Sequence, residues 1–251
     1  MGVKIGHASI DENGKISGGK VGNQTGKEIC IRTWYNKPWS VLLVCTDQKL
    51  AEKAAEIMEQ ICIDPNFGYD QNQRLTGYYA IIKNKNKIKG AKGEFDCSSL
   101  IATCYILAGL DISPSLTTST LRKTLLNTGK FIVYTDRRYV ESDAYAKRGA
   151  IYLSEGKHVV MALENGAKGN PYPEPKRNIK RGCVGEDVKW VQWKLLTYGI
   201  RFVAINGKKA ELTIDGSCGR ITEAAIRFYQ DKEGLMVDGD CGPITRGLLN
   251  K

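Results

Sequence analysis

The stretch "GEFDCSSLIATC" (residues 93–104) places an acidic residue, a cysteine and two serines directly ahead of an apolar run. The run continues as "SSLIATCYILAG" (98–109), is apolar on most faces and stops at Gly109, which predicts a buried helix with a glycine cap. Cys97 then falls in the first helical turn, where unpaired N–H groups and the helix dipole favour an anion. That environment is expected to lower the thiol pKa, and the thiolate is the reactive form. Cys104, inside the apolar body, reads as packing. The remaining cysteines (Cys30, Cys45, Cys62, Cys183, Cys218 and Cys241) include no C-x-x-C pair, and a chain made in a reducing compartment is not expected to build a disulfide framework. Small buried hydrophobes are the ordinary reading for them.

A nucleophilic cysteine needs a base, usually an imidazole, and a group that orients it. The chain holds two histidines, His7 and His158. His158 opens the β-rich run "HVVMAL" (158–163) straight after the polar turn "SEGK", a place that holds a side chain rigidly and leaves it accessible to act as a base. Read from the residues alone, a surface histidine in a turn fits the same position.

Around this pair residues 1–167 read as α+β. The runs "KEICIRTWY" (27–35), "WSVLLVC" (39–45), "KFIVYT" (130–135), "GAIYLS" (149–154) and "HVVMAL" predict strands. "DQKLAEKAAEIMEQICIDP" (47–65) predicts an amphipathic helix with Asp47 as N-cap and a stop at Pro65, and "TSTLRKTLLNTGK" (118–130) a further helix ending at Gly129. The aromatics of "RTWYNKPW", Trp34, Tyr35 and Trp39, suit either a core or a groove that packs against sugar or peptide faces. "ISGGKVGNQTGKE" (16–28) could line such a groove.

Hydrophobic residues make up 42% and charged residues 25%, which excludes wholesale disorder, and no apolar run is long enough to span a bilayer. The N-terminus has no apolar h-region, so the expectation is a protein made in the cytoplasm without a signal peptide and acting elsewhere only after release, with no membrane insertion. The net charge of +10 suits polyanions in general, an anionic cell wall among them. No nucleic-acid motif accompanies it, no His/Cys/carboxylate cluster has metal-ligand spacing, no cofactor is expected, and a monomer is assumed.

The proline-dense segment around 165–182 predicts an extended spacer, dividing the chain into 1–166, a linker at 167–181 and 182–251. Beyond it "TIDGSCGRITEAAIRFY" (213–229) lines up with "MVDGDCGPITRGLLNK" (236–251) at an offset of 23 residues. Each copy has an Asp-Gly turn, then Cys-Gly, then Thr at a helix start. With the helix predicted in "GCVGEDVKWVQWKLLTYGI" (182–200), this makes a three-helix unit. Gly182, Gly185, Val188, Gln192, Asp215, Gly216, Gly219, Thr222, Gln230, Gly234, Leu235, Asp238, Gly239, Gly242 and Thr245 carry a resemblance to the peptidoglycan-binding domain 1 family. The resemblance implies a wall-binding module, with Cys218 and Cys241 as core residues.

Phe95-Asp96-Cys97-Ser98-Ser99, Gly109, Gly149, Ile151 and the run from His158 to Gly166 resemble the NlpC/P60 (CHAP-related) cysteine peptidases of phage endolysins. That resemblance implies a papain-like fold in which Cys97 attacks an amide of bacterial peptidoglycan and His158 serves as base and then acid. A γ-D-glutamyl endopeptidase is implied first; an N-acetylmuramoyl-L-alanine amidase of the same Cys/His chemistry, or a wall-binding protein without catalysis, are the alternatives. Two departures stand out. Ala150 follows Gly149 where the family often has Asp, and the proline-rich segment replaces the strand that normally carries the third polar residue. "VKIGHASI" (3–10) resembles that missing strand, which implies a permuted fold with His7 orienting His158. Gln24, Glu28 and Asn165 are the competing orienters, and Gln24 and Trp34 the expected substrate-binding residues.

Overall fold

A computed structural model describes residues 2–11, 13–18, 21, 27–167 and 169–250. The chain forms two compact units, 1–167 and 168–251. In the first, the elements run β1 (Lys4–Ala8), β2 (Ile29–Thr33), β3 (Val41–Cys45), α1 (Gln48–Ile63), β4 (Phe67–Tyr69), α2 (Thr76–Lys83), β5 (Gly93–Phe95), α3 (Cys97–Ala108), α4 (Leu121–Asn127), β6 (Phe131–Tyr134), α5 (Arg137–Val140), β7 (Ile151–Ser154) and β8 (His158–Ala162). Six strands make one sheet in the order β2-β1-β8-β7-β3-β6, every neighbouring pair antiparallel. β1 thus lies between β2 and β8, and the two ends of the unit's sequence meet in the middle of its sheet.

Period-two alternation gives each strand two faces. Gly6 and Ala8 of β1, Val159 and Met161 of β8, Ile151 and Leu153 of β7 and Val41 and Leu43 of β3 share the face on which α1 and α3 pack. α1 is amphipathic as its sequence predicts: Asp47 caps it by accepting the Leu50 N–H at 3.1 Å, and Leu50, Ala54, Met58 and Ile61 are buried. The closeness of α1 to the sheet demands glycine at residue 6, because a Cβ there would stand 2.2 Å from Met58 Cγ. His7 and His158 fall on the opposite face, with Cys30 and Arg32 of β2 and with Tyr152 and Ser154 of β7.

α3 is buried almost throughout, with Leu100, Ile101, Cys104 and Tyr105 in the core, and Gly109 ends it in the left-handed conformation (φ 112°). Its start is a capping box: Asp96 accepts the Ser99 N–H at 2.7 Å while Ser99 Oγ accepts the Asp96 N–H at 3.0 Å. α4 is shorter than its sequence predicts, since residues 118–120 form turns ahead of Leu121.

The second unit comprises α6 (Glu186–Thr197), β9 (Phe202–Ile205), β10 (Lys208–Glu211), α7 (Arg220–Lys232) and α8 (Pro243–Leu249). The three helices match expectation, whereas the β9–β10 hairpin does not, because "RFVAINGKKAEL" turns at Asn206-Gly207 with both residues at positive φ. The segment expected as a spacer supplies residues that this unit buries: Tyr172 is 7% exposed, and Ile179 is fully buried and bridges to Cys241.

Candidate active site

The capping box fixes Cys97 as the first residue of α3. Arg74 holds the cap from outside through an Arg74 Nε–Asp96 Oδ2 ion pair of 2.7 Å, and its Nη2 donates to Ser98 Oγ at 3.1 Å. The backbone N–H groups of Val159, Ser98 and Cys97 itself lie close enough to the sulfur to favour its charged form. Val159 follows His158 in the chain, so the thiol lies at the very start of β8. The thiol is 8% exposed, and its pKa is pushed up to about 12 by burial first and by the Asp96 carboxylate second. The expected lowering at a helix start is therefore corrected: three N–H donors pull the pKa down, but loss of water and the neighbouring negative charge outweigh them. The resting sulfur is a thiol.

His158 lies at the first position of β8, after the turn that follows Ser154. It is 7% exposed, not accessible as expected, because the ring of Trp39 stacks over it at 6.1 Å with an interplanar angle of 26°. His7, in the neighbouring strand, is 5% exposed, and its Nδ1 lies 3.3 Å from His158 Nε2. This contact occupies Nε2 of His158 and leaves Nδ1 of that ring for another partner. The Tyr35 hydroxyl lies 3.5 Å from the same His7 nitrogen, with its ring edge-on to His7 at 6.1 Å. Burial, then Arg32 and Lys37, lowers His7 to about 4; burial, then His7, Lys37 and Arg32, lowers His158 to about 3. Both imidazoles are neutral near pH 7.

The other candidates lie elsewhere. The Glu28 carboxylate is buried, accepts the Tyr69 N–H at 3.1 Å and meets Glu94 beside Gly68. Asn165 Oδ1 accepts the Arg148 N–H at 3.1 Å. Gln24 lies outside the described residues. Trp34 is half-buried and packs edge-on against Tyr152, 5.7 Å between centroids. Among the described residues no group of three His, Cys, Asp or Glu side chains could hold a metal ion, and no helix is long and apolar enough to cross a membrane. Sequence reasoning passed over Arg32 and Lys37; the available signal was that both flank the aromatics of "RTWYNKPW".

The second unit holds two copies of one polar cluster. Gln192 Nε2 meets Asp215 Oδ1 at 2.7 Å, the Ser217 carbonyl at 3.0 Å and Thr222 Oγ1 at 3.0 Å, and its Oε1 accepts the Gly216 N–H at 2.9 Å. Gln230 repeats this with Asp238 (2.7 Å), the Asp240 carbonyl (3.0 Å), Thr245 (3.2 Å) and the Gly239 N–H (2.8 Å). Cys218 and Cys241 are buried at matching places in the two copies. Beside the second copy lies an open cavity of about 310 Å³ lined by Asn178, Asp238, Asp240, Met236, Ile244 and neighbours.

Comparison with known proteins gives two family matches: the endolysin-like domain over residues 5–169 and the peptidoglycan binding domain over residues 184–249. Among solved structures, the crystal structure of the SleB N-terminal domain is similar at 36% identity, over 31% of this chain and 94% of that one, with a TM-score of 0.26. No curated protein matches. The two matches define a cell-wall-related lytic protein whose C-terminal part has peptidoglycan as its partner. The chain belongs to the endolysin-like domain family.

Proposed function

We propose that the protein is a peptidoglycan hydrolase that cuts an amide of the stem peptide by cysteine chemistry, as a γ-D-glutamyl endopeptidase, on a permuted papain-like fold. The observation that carries this reading is that His158 Nε2 lies 3.3 Å from His7 Nδ1 at the start of β8, the strand whose Val159 N–H lies near the Cys97 thiol. β1 lies beside β8 in the sheet, which supports a third polar residue drawn from the N-terminal end of the unit.

The steps follow from the ring nitrogens. His158 carries its proton on Nε2 and donates it to His7 Nδ1, so its own Nδ1 is free to accept the Cys97 proton. As that proton leaves, sulfur bonds to the amide carbonyl carbon. The N–H groups of Cys97 and Ser98, at the first turn of α3, receive the charge that develops on the oxygen. The C–N bond then breaks, and the departing amine takes the proton from His158. Water adds to the thioester, giving one proton to His158, and releases a carboxylic acid; the thiol recovers its proton. His7 keeps the His158 ring in the productive tautomer throughout. Asp96, paired with Arg74, positions the helix start and takes no proton.

The second unit holds the enzyme on the wall, and the cavity beside the Gln230 cluster is its contact surface, since Met236 (81%) and Ile244 (74%) expose apolar area there next to Asp238 and Asp240.

The test is Cys97→Ser in the full chain. Lysis of purified walls is expected to fall by at least ~10³-fold while sedimentation with walls persists. Equal lysis by both proteins sinks the cysteine mechanism. Mass spectrometry of the released fragments fixes the bond: a new amino group on the third stem residue marks the endopeptidase, one on L-alanine the amidase.

A further inference from the structure

We propose that Arg32 and Lys37 form a subsite for a free carboxylate of the stem peptide, the one flanking the γ-glutamyl linkage, and that this carboxylate completes the charge balance of the histidine pair. The proposal rests on the hydrolase reading above and names the feature of the substrate that the site selects.

The geometry comes from β2 and the segment after it. Arg32 pairs with Ile5 and Cys30 with His7, so Arg32 lies on the sheet face that carries both imidazoles. Its guanidinium carbon stands 4.7 Å from the centroid of the Tyr35 ring, whose hydroxyl reaches His7. Lys37 lies between Tyr35 and Trp39, and those two rings border His7 and His158.

What matters is where these two cations lie. Elsewhere in the same unit Arg74 is paired with Asp96, Arg148 with Glu52 and Glu59, and Lys130 with Asp47. Among the described residues neither Arg32 nor Lys37 makes an ion pair, and both are close enough for their charges to add to the burial that keeps the two histidines neutral. The reaction nevertheless requires His158 to become an imidazolium. Two uncompensated cations beside it oppose that step, and an anion docked between them removes the opposition. A carboxylate on the substrate therefore binds and, in the same act, eases proton transfer from Cys97. Such a contact raises kcat as well as lowering KM, because its effect grows as the imidazolium forms.

The test uses two synthetic peptides, L-alanyl-γ-D-glutamyl-L-lysine amide and its counterpart with the glutamyl α-carboxylate converted to a carboxamide. The wild type is expected to favour the acid by ~10- to 100-fold in kcat/KM, the range of one or two charge-assisted hydrogen bonds. In R32Q/K37Q this ratio falls to near one, and in Arg32→Lys most of it survives. A ratio near one in the wild type, or equal losses on both peptides in R32Q/K37Q, overturns the proposal. Calorimetric titration of both peptides into the Cys97→Ala protein separates it from the hydrolase reading. Tighter binding of the acid that disappears on adding R32Q/K37Q supports the subsite even if the wild type cleaves neither peptide, a result that would sink the hydrolase reading instead. Binding without discrimination, or no binding of either peptide, overturns the subsite.

Discussion

The two units each bury a polar cluster, and the clusters are opposites. Around Gln192 and again around Gln230, amide nitrogen and oxygen both find partners, and the flanking Asp, Thr and glycine N–H groups are tied in as well. Around His158, two imidazoles share one hydrogen bond and face two cations without counterions among the described residues. Saturated polar groups rigidify a fold, while under-compensated ones hold free energy that a ligand or a proton can release. The contrast separates a saturated cluster from an under-compensated one without reference to any relative.

Acid separates them most strongly. His7 and His158 have folded pKa values of about 4 and about 3 against an ordinary 6.5, so the unfolded chain binds more protons below pH 6.5. The stability they lend is fully present above 6.5 and is lost as pH falls toward the folded values. Between pH 6.5 and 5 the loss is roughly 3 kcal/mol for the pair. The second unit contains no histidine, and its Asp187 and Asp238 are held below the usual carboxylate range, so its losses begin at lower pH. Hydrogen exchange on the full chain, corrected for intrinsic rates, is expected to show protection of β1 and β8 falling over that window while α6 and α7 keep theirs. A parallel fall in α7 breaks the contrast.

Gln192→Leu and Gln230→Leu come next. Each strands a buried Thr and a buried glycine N–H and takes the amide partner from an exposed Asp, at a cost of about 2 kcal/mol. Because the clusters are copies, the two variants are expected to lower the midpoint of denaturant unfolding of the second unit by similar amounts. A loss under 1 kcal/mol would show that water replaces the amide. By comparison, His7→Ala leaves the sheet intact and lowers kcat on a soluble stem peptide by ~100-fold, with KM little changed, as expected of a group that orients a base. Full turnover in folded His7→Ala removes His7 from the site. His7→Asn, which can still present a side-chain oxygen, is expected to recover part of the rate.

Local signals carried much of this into the sequence. Asp47, the spacing of Leu50, Ala54, Met58 and Ile61, and Gly109 mark α1 and α3 because caps and periodicity act within a few residues. The repeat in the second unit is visible because the same hydrogen-bonded turn is written twice. What the sequence hides is set by contacts far apart in the chain. The raised pKa of Cys97 depends on its burial in the folded unit, which outweighs the N–H of Val159, 62 residues further along the chain. The shielding of His158 depends on Trp39, and the cations at the site come from β2 and the residues after it, which nothing in the motif around Cys97 or His158 points to. His7 was legible only through its resemblance to a strand that belongs elsewhere in the chain order.

The smallest effect tests the second unit's surface. Met236 and Ile244 are exposed at the cavity beside the Gln230 cluster but take no part in the cluster itself. A change there should touch binding and leave the fold alone. Met236→Glu adds a charge next to Asp238 and Asp240 and removes apolar contact area; it is expected to weaken sedimentation with purified walls by about tenfold while shifting stability by less than ~0.5 kcal/mol, as surface substitutions do. If wall affinity is unchanged in Met236→Glu and in Ile244→Glu, the contact lies on another face. The near-equivalent surface beside the Gln192 cluster, related by the same 23-residue repeat, is then the place to look.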